Sequence, residues 1–109
     1  VDAFLLSVSL IPLLSVGFNC ALGAEQLKPY LQRLSNKTNF HTSAHPNAGL
    51  PNAFGEYDET PEEMTAYIEV YFKDNLINVI GGCCGTNPAH IKAIYKASQN
   101  HKPRQLKAN

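Results

Sequence analysis

Leu76-Ile77-Asn78-Val79-Ile80-Gly81-Gly82-Cys83-Cys84-Gly85 is the stretch that decides the fold. A short apolar, β-branched run bounded by glycines reads as a buried strand that ends in a loop, and a vicinal cysteine pair stands in that loop. The one other cysteine, Cys20, ends a second apolar stretch, Leu13-Leu14-Ser15-Val16-Gly17-Phe18-Asn19-Cys20. Every thiol of the chain therefore lies at the C-terminal end of a candidate strand. Three thiols placed alike read as one site.

Working outward, the elements alternate. Val1 to Leu10 reads as the end of a helix, stopped by Pro12. Leu13–Asn19 is a buried strand. Leu27, Tyr30, Leu31 and Leu34 recur at helical spacing and predict an amphipathic helix over about residues 25–35. Pro29 lacks an amide donor, so an irregular first turn is expected there. Phe40-His41-Thr42-Ser43-Ala44 is a short strand that runs into a long Pro-, Gly- and Asn-rich loop from His45 to Asp58, ending in the acidic run Glu56 to Glu59. Long irregular loops in compact domains carry function or motion. Thr60, Pro61 and Glu63 spell an N-cap, a first-turn proline and a capping box. Met64, Tyr67, Ile68, Tyr71 and Phe72 follow as the buried face of that helix. A last helix starts near Asn87-Pro88 and is expected to bury Ile91, Ile94 and Tyr95. The tail from His101 is polar and aperiodic, like the start of a linker.

Helix, then three strand–loop–helix units, means parallel pairing with right-handed crossovers. The strand ends then share one side of the sheet, where such folds keep their active sites. Three units do not close a barrel of eight, and they leave parallel strands with unpaired edges. The chain is therefore expected to be a piece of a larger (β/α) domain and, if made alone, to associate with itself or bury its edges some other way.

The totals exclude several classes. At 109 residues there is room for one domain, and nine basic residues balance nine acidic ones. Nothing in that balance points to nucleic acid or an anionic membrane. The apolar run from Ala3 to Val16 is interrupted by serines and Pro12 and has no basic n-region. It reads neither as a signal peptide nor as a spanning helix. An odd cysteine count argues against a disulfide framework, and a reducing, cytoplasmic setting is expected.

Cys20 and Cys83 are about two strand–helix units apart, on strands separated by one other, whose end carries His45-Pro46-Asn47. Within a regular strand Cys83 and Cys84 point to opposite faces, so to share an ion they must lie beyond the strand end. Gly81, Gly82 and Gly85 are expected to supply the backbone angles for that. Three thiolates suit Zn²⁺, and three protein ligands leave an open position of the catalytic type. Plain buried core thiols and a vicinal disulfide are the competing readings. Among the histidines only His45 falls near the site, while His41, His90 and His101 read as surface or packing residues. The acidic run reads as a solvated loop and cap, with contact to a substrate amine as its functional alternative. The glycine loop has no phosphate-binding pattern.

These motifs resemble those of the cobalamin-dependent methionine synthases (5-methyltetrahydrofolate–homocysteine methyltransferases), over nearly the whole chain. Gly17-Phe18-Asn19-Cys20-Ala21-Leu22-Gly23 resembles that family's first cysteine motif. Ser43-Ala44-His45-Pro46-Asn47-Ala48-Gly49-Leu50-Pro51 with Phe54-Gly55-Glu56-Tyr57-Asp58 resembles its next strand-end loop. Gly81-Gly82-Cys83-Cys84-Gly85-Thr86 resembles its paired-cysteine motif. The last of these is shared with betaine- and S-methylmethionine-dependent homocysteine methyltransferases, whereas the proline–asparagine loop is the narrower likeness.

The resemblance implies an α/β fold, a fragment of a (β/α)8 TIM barrel holding strands six to eight with a preceding helix, over residues 1–103, with a linker starting at 104–109. It implies zinc on Cys20, Cys83 and Cys84, with Asn47 in the open position when substrate is absent. It also implies cobalamin and folate modules elsewhere in the full-length enzyme. Homocysteine would be methylated to methionine as a metal-activated thiolate, and the fragment alone would be inactive. The residues that grip the rest of the homocysteine would lie mostly on the five missing strands. Rival readings keep the zinc but take betaine or S-methylmethionine as donor, or make the zinc purely structural. The lack of a fourth cysteine or well-placed histidine counts against the last.

Overall fold

The computed structural model describes residues 1–106. Seven elements follow in order: α1 (Asp2–Val8), β1 (Ser15–Gly23), α2 (Ala24–Lys37), β2 (His41–Asn47), α3 (Pro61–Lys73), β3 (Val79–Ile80) and α4 (Pro88–Ser98). The three strands form one parallel sheet in the order β1-β2-β3. Ser15 to Asn19 pair in register with His41 to His45, and Ser43 and Ala44 pair with Val79 and Ile80. This is the expected α/β arrangement, a segment of a (β/α) barrel with all three strand ends on one side.

The core lies between the sheet and the helices. Val16, Thr42 and Ala44 are buried on one sheet face against Leu27, Leu31, Leu34, Met64, Ile68 and Ile94. Tyr71 is wholly buried and its hydroxyl donates to the carbonyl of Ala24, tying α3 to the start of α2. Burial pushes that phenol far above its ordinary pKa, so it stays a neutral donor.

The caps behave as the sequence requires. Thr60 Oγ1 accepts from the amide of Glu63 at 3.1 Å, and Glu63 Oε1 accepts from the amide of Thr60 at 3.2 Å, the reciprocal pairing of a capping box. A second box opens α4. Asn87 Oδ1 accepts from the amides of Ala89 and His90, and His90 Nδ1 accepts from the amide of Asn87. With Nδ1 accepting, Nε2 carries the proton and donates to the carbonyl of Glu59 at 2.7 Å. His90 is thus a buried packing residue that pins α4 to the start of α3.

That pin corrects the expected buried face of α4. His90, Ile94 and Ala97 face inward, while Ile91 and Tyr95 stay exposed. Other boundaries differ too: strand β1 runs over Ser15–Gly23, later at both ends than the expected Leu13–Asn19. The helix α2 runs unbroken from Ala24, with Pro29 inside it and no irregular first turn. Its buried face of Leu27, Leu31 and Leu34 outweighs one lost amide bond. Strand β2 runs on through Asn47, beyond the expected Ala44. Strand β3 has two residues only, because the Asn78 side chain replaces the backbone below it: its Oδ1 accepts from the amide of Thr42 at 3.0 Å, while Thr42 Oγ1 donates to the Leu76 carbonyl at 2.6 Å.

After α4 the described residues form no regular structure, yet Arg104 is buried. Its guanidinium donates to Ser35 Oγ and to the carbonyls of Ser35, Thr38 and Phe40 at 2.7–2.9 Å. The first residue of the expected linker is therefore packed under the sheet. Residues 107–109 of that linker lie outside the described residues.

Candidate metal centre

Each thiol reaches the site by a different local device. In β1 the ladder slips between Asn19 and Gly23. Cys20 and Ala21 there adopt φ of +60° and +67°, a left-handed conformation that L-residues with a Cβ adopt at some cost. The bulge frees Cys20 from the pleat. Cys83 and Cys84 lie past the end of β3, as anticipated. The amide of Cys83 donates to the Pro46 carbonyl at 2.9 Å, that of Cys84 to Asn47 Oδ1 at 3.0 Å, and the amide of Ala48 to the Cys84 carbonyl at 2.8 Å. Both cysteines are thereby laced to the end of β2.

The glycines act differently from expectation. Of Gly81, Gly82 and Gly85, the last alone has a positive φ, +79°. Gly81 and Gly82 are needed for closeness instead: a Cβ would lie 2.6 Å from the His45 ring at the first and 2.6 Å from the Thr86 methyl at the second. The strained backbone of the site belongs to Cys20 and Ala21, a feature no residue type announces.

The result is a cluster of three sulfurs, all within 4.8 Å of one another, with Cys20 and Cys84 3.5 Å apart. A tetrahedral ion with metal–sulfur bonds of about 2.3 Å holds its sulfurs roughly 3.8 Å apart. The spacing and the donor chemistry therefore fit a zinc-type ion, and these three cysteines can bind one. All three are free thiols, two half-buried and one exposed, so they form neither a disulfide nor part of the apolar core. Among the described residues no imidazole or carboxylate joins the group.

Electrostatics single out Cys20. The amide of Ala21 at its sulfur, then hydrogen bonds from Cys83, Cys84 and Asn47, lower its pKa, while Cys84 is raised by sharing hydrogen bonds with the other two sulfurs. Asn47 is buried at the cluster, with Oδ1 accepting from Cys84. Its second lone pair on that oxygen is free of the bond.

Beside the sulfurs a cavity of about 390 Å³ is lined by Gly17, Asn19, Ser43, His45, Gly82 and Cys83, within the usual size range for small-molecule sites. His45 lines this cavity and does not join the sulfurs. His41 lies below it on β2, and His101 pairs with Glu69 at 2.9 Å far from the site. In the acidic run, Glu56 and Asp58 are exposed. Glu59 is partly buried, its pKa raised by burial and then by Glu63 and Glu25.

One site residue escaped sequence reasoning. Tyr57 lies over the cysteine loop, its Cβ so close that a Cβ on Gly85 would come within 2.3 Å. Its pKa is raised by burial first and then by the thiols, Cys84 foremost. A tyrosine inside an acidic, loop-like run gives no local sign of that placement.

Comparison with known families agrees with this geometry. The model of the homocysteine S-methyltransferase family matches residues 1–98. That span takes in all four helices, the three strands and every thiol, and the chain belongs to the homocysteine S-methyltransferase family.

Proposed function

We propose that this chain is the thiol-activating part of a barrel that methylates homocysteine to methionine, with Cys20, Cys83 and Cys84 as zinc ligands. The observation that carries the reading is the convergence of three free sulfurs within 4.8 Å at the ends of parallel strands. Zinc held there supplies Lewis acidity, which keeps an alkyl thiol ionised near neutral pH, where a free one is mostly protonated.

The chain's own residues account for the rest. The Ala21 amide and Asn47 stabilise the Cys20 thiolate. The bond from Cys84 to Asn47 and that from Cys83 to Pro46 hold the paired cysteines against β2. Asn47, with one lone pair to spare, is the residue that would complete the ligand set while substrate is absent. The cavity bordered by Ser43, His45 and Cys83 receives the thiol substrate, its mouth open at the strand ends toward a methyl donor. The long loop between β2 and α3, with its proline–asparagine motif, favours methylcobalamin recharged from 5-methyltetrahydrofolate as the donor, carried on other modules. Three free thiols accord with a reducing, cytoplasmic setting.

Zinc per chain in the full protein, measured under reducing conditions for wild type and Cys20→Ala, tests the centre. About one zinc in the wild type, lost in the variant, supports it; none in either overturns it. Homocysteine should change the metal's sulfur coordination in X-ray absorption, and an unchanged spectrum would mean a structural ion. Methyl transfer from betaine or S-methylmethionine without cobalamin would move the donor assignment to those relatives.

A further inference from the structure

The loop between β2 and α3 is not loose. The Asn52 amide donates to the Glu56 carbonyl at 2.8 Å, and Asn52 Oδ1 accepts from the amides of Phe54 and Glu56 at 2.8 and 3.0 Å. Asn52 Nδ2 donates to Asp58 at 2.8 Å, closing the loop on both sides of Tyr57. A loop clasped in this way presents one side chain in a fixed place. Tyr57 is that side chain: its ring lies on the backbone of Gly85, the residue after the paired cysteines, and only glycine leaves room for it. Gly85 directly follows Cys84, the most exposed of the three thiols, so the phenol is held beside that sulfur. A phenol has one proton to give, and the neighbouring sulfurs are acceptors once ionised. None of the chemistry assigned to the three cysteines accounts for a phenol held against that loop.

We propose that Tyr57 is a positioning residue of the sulfur cluster, its hydroxyl donating a hydrogen bond to Cys84 Sγ and holding that sulfur toward Cys20. The inference rests on the metal-centre reading above and deepens it. Cys20 is fixed by its bulge and Cys83 is partly buried, whereas Cys84 faces solvent and has the greatest freedom to turn away. A donor on the solvent side selects the rotamer that completes the set. Partners of this outer kind change metal affinity by roughly 10- to 100-fold when removed.

The test uses the full protein with Zn²⁺ and Co²⁺ as probes. Tyr57→Phe keeps the ring on Gly85 and removes only the hydroxyl. It is expected to bind zinc about 10-fold or more weakly in chelator competition, and to shift the sulfur-to-cobalt charge-transfer band, while the melting midpoint of the metal-free protein stays the same. Tyr57→Leu should lose both affinity and loop packing, so a purely structural role would show in Leu but not in Phe. Zinc affinity and cobalt spectrum unchanged in Tyr57→Phe would overturn the role of Tyr57 and leave the metal centre intact. Failure of the wild-type protein to take up either ion would overturn both.

Discussion

At the level of single residues, the site depends on backbone conformations that its side chains do not advertise. Gly85 has both a left-handed φ and the Tyr57 ring against it. Gly85→Ala is expected to cost about 2–4 kcal/mol, from the conformational penalty and the overlap together, and to loosen Tyr57 from the cysteine loop. Denaturant unfolding at fixed chain concentration measures the first, and zinc affinity the second. A loss below about 0.5 kcal/mol would mean that the loop moves aside freely. The three thiols were legible because cysteine is rare in the chain and each ended an apolar run. Asn47 was placed between the thiols by the end of its strand, and its particular role came from the likeness of its loop to a known motif. Tyr57 was not legible at all, because its place depends on how a 13-residue connection folds back over another strand's end. The left-handed pair Cys20 and Ala21 was hidden for a related reason: neither residue type favours that conformation, and tertiary packing imposes it.

Elements with their own start signals were the readable ones. The helix α3 begins where Thr60, Pro61 and Glu63 place it, and α4 begins after Asn87. Strand ends were less readable, since Asn78 substitutes side-chain bonds for ladder bonds and β2 continues through Pro46. The face of α4 was misjudged because Ile91 and Tyr95 outrank His90 in hydropathy, whereas the cap bond turns His90 inward. Between elements, the docking of α1 on α2 is electrostatic at its polar edge. Arg33 donates twice to Asp2 at 2.9 Å, with Lys37 at 3.5 Å. The hydrogen bond from Arg33 is the main reason why the Asp2 pKa falls to about 2. Because this carboxylate is more acidic folded than unfolded, the pair supports folding fully above the unfolded value near 4, and its contribution fades as pH falls toward 2. Arg33→Ala should return the Asp2 pKa toward the ordinary range in an NMR titration. The amides of α1 should then exchange faster at neutral pH. A titration unchanged by the substitution would mean that Lys37 alone holds the carboxylate.

For the whole molecule, the question is how three strands stand without a closed barrel. One sheet face is covered by helices; the other shows Gly17, Asn19, Ser43 and His45 on one side of the cavity, with Val79 half-exposed. The molecule measures 44 × 31 × 19 Å, a slab rather than a sphere. Arg104 closes the slab underneath, where the carbonyl ends of α2 accept its charge. Arg104→Ala leaves those carbonyls without their donor and is expected to cost about 2–4 kcal/mol, read as an earlier denaturation midpoint; a change under about 0.5 kcal/mol would mean that water replaces the guanidinium without loss. Among the described residues the two edges have no such closure. Strands β1 and β3 border the sheet, and Leu6, Leu10, Leu14, Ile91 and Tyr95 are exposed around it. Parallel strands are stable when buried on both faces, and open edges recruit further strands. The 109 residues made alone are therefore expected to sediment as dimers or larger species at high micromolar concentration, and to show no methyl transfer to homocysteine. Val79→Lys together with Tyr95→Lys should shift the distribution toward monomer, because charge at an edge and on an apolar face opposes stacking. A wild-type chain that stays monomeric throughout would mean that the slab is self-sufficient, and turnover by it would mean that three strands already hold the substrate.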